Sequence, residues 1–402
     1  MERVYLVYLL TESILLFLYL RLRNHPLQRV QISDELSFSS ERRESSWSKI
    51  AASVFLFAAY IIYILFSVFK KVDPKTSAHD AYNYMKFFMD VDPSLSLGSF
   101  LKSDLEFEPG FSLLYWFSKR IYNDYHFLLW IVFTLVFILY VSYLRKIYTR
   151  SHSFLMICTV FLLLIGQFNT MRMTLSIGIG LHILPMLQKK KWIAACLTVV
   201  LAMSFHITAA ILFPMILVVF CMERVAPTVS FGKFMQKISA FKTEKHLTII
   251  VLGMVMAVAS IGILNRLLAG TSKDVYIGDS GKLAVGTYTI VLIIFVASIW
   301  KFKKVAALSS LNLIMIEVLP ICLCCIPLQY SVGMIYRMTL FFNPIILGII
   351  PSLLKAYSRK TMTQIMISAF LYFYMFVRIY SFFTEELGYV GEYTNTLIPG
   401  WK

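Results

Sequence analysis

Apolar runs of roughly 15 to 20 residues recur along the whole of this chain, and nothing constrains its fold more. A helix needs about 20 apolar residues to cross a hydrocarbon layer of about 30 Å. Only helices and closed barrels can satisfy their own backbone there. Runs of this kind lie at 4–20, 50–68, 126–144, 153–168, 172–187, 192–206, 207–221, 247–264, 285–300, 309–328, 335–354 and 361–380. Hydrophobic residues make up 58% of the 402. The chain therefore reads as one all-α, polytopic integral membrane domain over 1–402, with about twelve transmembrane helices.

A formal net charge of +16 would suit a nucleic-acid partner, but its distribution points elsewhere. Lysine and arginine concentrate in alternate connections. These include 21–49, 145–152 with Arg145, Lys146 and Arg150, and 188–191 with Lys189, Lys190 and Lys191. The same holds for 222–246, for 301–304 with Lys301, Lys303 and Lys304, and for 355–360 with Lys355, Arg359 and Lys360. Retention of cationic loops on the cytoplasmic side, next to anionic lipid, produces this alternation. It places both termini outside the cytoplasm and makes the lipid bilayer, not nucleic acid, the partner of the positive charge. The first run is followed by Arg21 and Arg23 and by no small-residue cleavage site, so it reads as a retained span. Cysteines 158, 196, 221, 322, 324 and 325 lie in or beside apolar runs and lack metal-site or disulfide spacing.

Two connections are long. The segment 21–49 reads as a solvated cytoplasmic loop. The segment 69–125, between the second and third helices, lies on the outer side and carries Asp80, Asp90, Asp92, Asp104, Glu106 and Glu108. Long loops between spans often have a task. Within this one, Phe111, Leu114, Tyr115, Phe117 and Ile121 recur at helical spacing over too short a stretch to cross, which predicts an interfacial or re-entrant helix. The segments 265–284 and 381–402 also fall outside.

Charges at membrane depth cost about 2.5–3.5 kcal/mol each on insertion scales, so each needs a partner or a purpose. Arg172, His206 and Arg337 all fall at outer helix ends. With Asp80 and Glu108 they bring two carboxylates, two guanidiniums and an imidazole to one side of the membrane. These groups suit glycosyl transfer from a lipid-linked pyrophosphate. A carboxylate takes the proton of the attacking hydroxyl, and arginine forks match the phosphate oxygens of the leaving group. Either Asp80 or Glu108 fits the base, Arg172 and Arg337 the pyrophosphate clamp, and His206 a supporting acid–base or hydrogen-bonding role. Tyr82, Tyr84, Tyr115 and Trp116 can stack on sugar faces. No Gly-rich phosphate loop is present, so no nucleotide and no cofactor is called for.

Plainer roles compete. Asp80 and Glu108 can each cap the helix that follows, Arg172 can be an interfacial anchor, as can Arg378, and His206 can be a hydrogen-bonded interface residue. Asp90-Val91-Asp92 resembles the paired carboxylates of metal-dependent nucleotide-sugar transferases, but the outer face lacks nucleotide sugars, and no metal is expected. Glu12 and Glu317, inside apolar runs, are expected to hydrogen-bond to a neighbouring helix, with a proton or ion path as the alternative.

The order and spacing of several short stretches resemble the EpsG-type exopolysaccharide polymerase family, which is akin to the Wzy-type O-antigen and capsule polymerases. They are Asp80-Ala81-Tyr82-Asn83-Tyr84, Glu108-Pro109-Gly110-Phe111-Ser112-Leu113-Leu114, Asn169-Thr170-Met171-Arg172, Ser204-Phe205-His206-Ile207-Thr208-Ala209 and Tyr336-Arg337. The resemblance covers about 75–345. It implies a bacterial inner-membrane glycosyltransferase that polymerises undecaprenyl-pyrophosphate-linked oligosaccharide repeat units at the periplasmic face. The growing chain would be donor and a single lipid-linked unit the acceptor. Tyr336 would join Tyr82 and Tyr84 at the sugar, and a chain-length regulator and other polysaccharide assembly proteins would be partners. A relation to GT-C-type membrane glycosyltransferases is also implied, although the acidic loop here follows the second predicted helix and not the first. Rival activities on the same glycans are a lipid-linked oligosaccharide flippase, an O-antigen ligase and an O-acetyltransferase.

Overall fold

The computed structural model describes residues 2–23, 46–70, 72, 79–102, 107–147, 170–224, 285–328, 334–357 and 361–381. The expected crossings 153–168 and 247–264 lie outside these residues, as do most of 21–49, of the loops 222–246 and 265–284 and of the tail, and the side chains of Tyr336 and Arg378. Among the described residues every element is helical. Four of the described helices are long and apolar enough to cross a membrane: Val4–Arg23, Trp47–Val68, Tyr125–Ile147 and Arg337–Ala356. Large apolar side chains are exposed along the first three. On the second, Val54, Phe57, Ile61 and Leu65 form one exposed stripe at helical spacing, while Ala52, Ala59, Tyr63 and Phe66 are buried. A stripe of that length in water would be an aggregation hazard, whereas lipid solvates it. The chain is a membrane-embedded protein.

Several expected crossings are broken into shorter pieces, and the breaks have a common cause. The run at 172–187 becomes helices Met171–Gly180 and Ile183–Gln188. The run at 207–221 begins with a 3-10 turn, Ile207–Ile211, before helix Leu212–Arg224. The run at 335–354 passes through Met334–Thr339 and a 3-10 turn at Leu340–Phe342 before Asn343–Ala356. Each break lies four residues before a proline: Leu181 before Pro185, Ala210 before Pro214, Leu340 before Pro344. Proline offers no N–H to the carbonyl four residues back and its ring crowds that carbonyl, so the last turn before it tightens or opens. Proline does not act alone, because Pro320 and Pro351 sit inside continuous helices.

The chain forms two compact units, Met1–Thr174 with Met375–Lys402, and Leu175–Tyr374. In the first, α1 (Glu2–Arg23) packs along α2 (Ser46–Val68), and α2 along α6 (Tyr125–Ile147). Aromatic contacts fix these faces: Tyr8 stacks on Phe66 at 3.9 Å, and Tyr63 lies against Phe133 and Phe137. The Tyr60 hydroxyl takes a hydrogen bond from Trp130 Nε1 at 3.0 Å and meets the Thr134 hydroxyl at 3.0 Å. Between α2 and α6 the polar segment folds into three helices, α3 (His79–Asp90), α4 (Leu97–Lys102) and α5 (Pro109–Ile121). The helix expected from the spacing of Phe111 to Ile121 is α5. In the second unit, helix Ser310–Leu328 is central, packed against Val285–Trp300, Leu212–Arg224, Ile183–Gln188 and Asn343–Ala356. Its Asn312 amide donates to Val305 O at 2.6 Å and to Ser352 Oγ at 3.0 Å.

The intramembrane acids divide. Glu317 is buried. Glu12 is fully buried, and neither of its carboxylate oxygens has a hydrogen-bond partner among the described residues. Among the described residues the expected bond from Glu12 to a neighbouring helix is therefore not made.

Asp124 sets the start of α6. Its Oδ1 accepts from the His126 backbone N–H at 2.8 Å and lies 3.0 Å from His126 Nδ1, and its carbonyl accepts from Phe127 N–H. Partial burial pushes the Asp124 carboxyl up, but the two His126 contacts outweigh it and hold it below the ordinary carboxylate value. Asp124→Ala is expected to lower stability by about 1 kcal/mol at neutral pH, as for other N-caps. Because the folded-state value is depressed, the difference from wild type should be present above the ordinary carboxylate range and fade as pH falls through the folded value. Thermal unfolding of both proteins across acid to neutral pH would check this, with a pH-independent difference counting against it.

Candidate functional site

The site is built from α3 outward. Tyr84, Phe87 and Phe88 recur at helical spacing on one face of α3, and Val91 just past its end continues the pattern; Tyr84, Phe88 and Val91 are buried and Phe87 is partly so, while Lys86, Met89 and Asp90 are exposed. The last carbonyls of α3 need donors. Lys119 of α5 supplies them, its Nζ donating to Phe88 O at 2.8 Å and Met89 O at 2.6 Å. The following turn is closed by Asp92, whose Oδ1 accepts from Ser94 N–H and Oγ at 2.8 and 2.7 Å. Those two bonds hold the Asp92 carboxyl below its ordinary value, which accounts for the second acid of Asp90-Val91-Asp92 as a turn residue.

At the start of α5, Pro109 occupies the first helical position, where a missing N–H costs nothing. Glu108 stands at the N-cap, but its side chain makes no cap bond. Its backbone carbonyl accepts from Phe111 and Ser112 N–H instead, which leaves the carboxylate to reach elsewhere. The Tyr115 hydroxyl donates to Tyr84 O at 3.3 Å and ties α5 to α3, and Trp116 Nε1 donates to Leu95 O at 3.0 Å. The rings of Tyr84, Phe87, Phe107, Phe111 and Tyr115 pack mostly edge to face, the arrangement aromatic quadrupoles favour.

Arg172 enters this cluster from the first turn of helix Met171–Gly180. Its Nη1 donates to Glu108 Oε2 in an ion pair whose side chains are each 19% exposed. Its Nε donates to the Tyr84 hydroxyl at 3.4 Å. The guanidinium carbon lies 4.4 Å from the centre of the Phe107 ring and 5.8 Å from that of Tyr84, within cation–π range. Asp80 lies four residues before Tyr84, in the first turn of α3 and on the same helix face. One mostly buried cation is thus gripped by a carboxylate, a hydroxyl and two rings, and a second carboxylate, Asp80, lies one helical turn before Tyr84 on α3. Such a centre can hold a phosphate oxygen while a neighbouring acid handles a proton.

Of the residues expected from sequence, Glu108, Arg172 and Tyr84 are in contact, and Asp80 lies one helical turn before Tyr84 on α3. Tyr84 is 4% exposed, with its ring covered by Phe107 and Phe111, so it offers Arg172 its hydroxyl and not an open stacking face. Tyr115 is likewise fully buried, and Tyr82 is half-buried on another face of α3. His206 and Arg337 belong to the second unit. There His206 caps the 3-10 turn Ile207–Ile211, its Nδ1 accepting from Thr208 N–H and lying 2.7 Å from Thr208 Oγ1. Helix Met334–Thr339, which carries an exposed Arg337, packs on that same turn. The sequence pattern did not single out Phe107 or Lys119. The density of aromatic residues from Tyr82 to Tyr115 was the available signal for Phe107. Nothing local marked Lys119, whose acceptors lie 30 residues or more away.

Removing one partner of a mostly buried ion pair costs about 3–5 kcal/mol; with both side chains 19% exposed, Glu108→Ala should fall at or below the low end, about 3 kcal/mol or less. In a double-mutant cycle with Arg172→Ala, a coupling of about 0.5–3 kcal/mol is expected. Zero coupling in thermal unfolding would mean that the two side chains act independently.

In a comparison with protein families, a model described as the EpsG family aligns with residues 53–395, which includes the α3–α5 segment and Arg172. No curated protein and no solved structure matches the chain. The match covers most of the chain, and the protein belongs to the EpsG family, a group of polysaccharide-polymerase-like membrane proteins.

Proposed function

We propose that this protein is a membrane glycosyltransferase that polymerises a bacterial surface or secreted polysaccharide, an O-antigen or a related glycan. Its substrates are oligosaccharide repeat units linked to undecaprenyl pyrophosphate, joined at the periplasmic face of the inner membrane. The observation that carries this reading is Arg172 gripped by Glu108 of the polar segment that also carries Asp80, all within the family match. The alternation of basic connections supports a multi-pass arrangement of about twelve helices, with both termini periplasmic and the polar segment on the same side. A GT-C-like arrangement remains part of this proposal.

In the reaction, a hydroxyl of the acceptor sugar attacks the anomeric carbon of the donor. A new glycosidic C–O bond forms, the C–O bond to pyrophosphate breaks, and the hydroxyl proton passes to a carboxylate. Glu108 is engaged by Arg172, so we assign the proton to Asp80 and the holding of the guanidinium to Glu108. Arg172 takes the charge that develops on the departing undecaprenyl pyrophosphate. Tyr84 and Phe107 orient it, and Tyr82 remains the candidate for a sugar contact. The roles of Arg337, His206 and Tyr336 rest on their places in the sequence. The partners are the lipid-linked donor and acceptor, the bilayer, a chain-length regulator and other assembly proteins. A flippase or an O-antigen ligase is the alternative; a flippase needs no base next to the arginine, whereas a ligase shares the lipid-linked donor and the same transfer chemistry.

In a host lacking this gene, surface polysaccharide on a gel is expected to show a single repeat unit in place of a ladder, with the ladder restored by the wild-type gene. Loss of every repeat unit would instead point to a flippase or a ligase. Among variants of normal abundance, Asp80→Asn should reduce polymer by about 100-fold or more, the usual contribution of a general base. A full ladder from Asp80→Asn would remove Asp80 from the reaction.

A further inference from the structure

Among the described residues, the buried acid of the first unit that the proposed reaction does not use is Glu12. It lies midway along α1 with none of its surface exposed, and among the described residues no donor and no cation reaches either carboxylate oxygen. Hydroxyl groups are among its neighbours. Tyr8 lies one turn earlier on the same face of α1. On α2, the Tyr63 hydroxyl is within electrostatic reach of Glu12, hydrogen-bonds Ser67 and also lies near Tyr140 of α6; Tyr140 in turn neighbours Tyr143. The hydroxyls of Ser13 and Tyr140 are also buried without a hydrogen-bond partner among the described residues.

An ionised carboxylate left alone in a protein interior costs several kcal/mol, and a chain keeps one at membrane depth when something positive meets it. Buried polar atoms without partners mark places where an ion, a proton or a water belongs. A divalent ion is a poor fit, since it gathers several oxygen ligands and usually more than one carboxylate. Among the described residues no cluster of three acidic, histidine or cysteine ligands exists. One carboxylate balances one positive charge. We propose that Glu12 is a binding site for a single monovalent cation inside the α1–α2–α6 packing, with the Tyr63 hydroxyl as its neighbouring ligand. The cation is supplied as a proton or as a sodium ion. Both chemistries neutralise the carboxylate; the series Tyr63, Tyr140, Tyr143 suits the first, and oxygen ligation by carboxylate and hydroxyl suits the second.

Thermal unfolding of the full-length protein in detergent separates the two sources. One series varies sodium chloride against choline chloride at constant ionic strength, and a second varies pH without sodium. If sodium is the ligand, the wild-type midpoint rises with sodium concentration and Glu12→Gln abolishes the rise. If a proton is the ligand, sodium has no effect. The wild-type midpoint then falls relative to that of Glu12→Gln as pH rises, because the neutral amide keeps the form that the acid loses. Wild type and Glu12→Gln responding identically in both series would overturn the proposal. Should Glu12→Gln fail to fold, Tyr63→Phe decides. It is expected to weaken the apparent sodium affinity, or to shift the pH response by an equivalent amount, about fivefold for one hydrogen bond. An unchanged response in Tyr63→Phe would then overturn the proposal.

Discussion

Inside a hydrocarbon layer no water meets a free peptide group, and each unbonded one costs several kcal/mol. That constraint makes every described element helical, and it also governs how the helices are interrupted. Where Pro185 removes a donor, His182 N–H turns to Ile179 O and Leu184 N–H to Leu181 O. Where Pro214 does so, the His206 side chain and carbonyl close the 3-10 turn. Buried side chains follow the same rule: Ser176 Oγ donates to Ala202 O, Tyr357 to Ala297 O, and Asn312 to Val305 O. Against this background the two oxygens of Glu12 are conspicuous.

Charge at the membrane boundary is handled differently. Arg172 sits where an apolar helix meets the polar segment, and it is held by groups of three kinds: the Glu108 carboxylate, the Tyr84 hydroxyl and the Phe107 ring. A guanidinium is planar and weakly hydrated, so it tolerates partial burial between rings better than an ammonium would. The grip restricts its orientation before any substrate arrives, which is the preorganisation that makes electrostatic stabilisation of a leaving group effective. The aromatic packing beneath it, with Lys119 closing the end of α3, is what keeps Glu108 and Tyr84 in register.

The double meaning of Glu108 shows how far local pattern reaches. Glutamate before Pro-Gly at a helix start reads equally well as a cap or as a reactive acid, and both expectations were open. The structure divides the residue: the backbone carbonyl caps α5 and the side chain pairs with Arg172. Likewise Tyr84 was legible as an aromatic residue near the site. Whether its ring or its hydroxyl faces the site depends on Phe107 and Phe111, which come 23 and 27 residues later in the chain.

Apolar run length, the alternation of basic connections and the acid-rich segment after the second helix are properties of composition along a line. They determined membrane embedding, helical class and the place to look for a site, because hydrophobic transfer and backbone satisfaction act on each segment by itself. The prolines that interrupt the later runs were equally visible, yet Pro320 and Pro351 stay within continuous helices, so the surrounding packing decides which proline breaks a helix. The pairing of residues 64 and 88 positions apart, Arg172 with Glu108 and with Tyr84, was decided only in the tertiary structure. So was the burial of Glu12 without a hydrogen-bond partner among the described residues. Contacts of that kind depend on which helix faces pack together, and no local stretch of sequence carries that information.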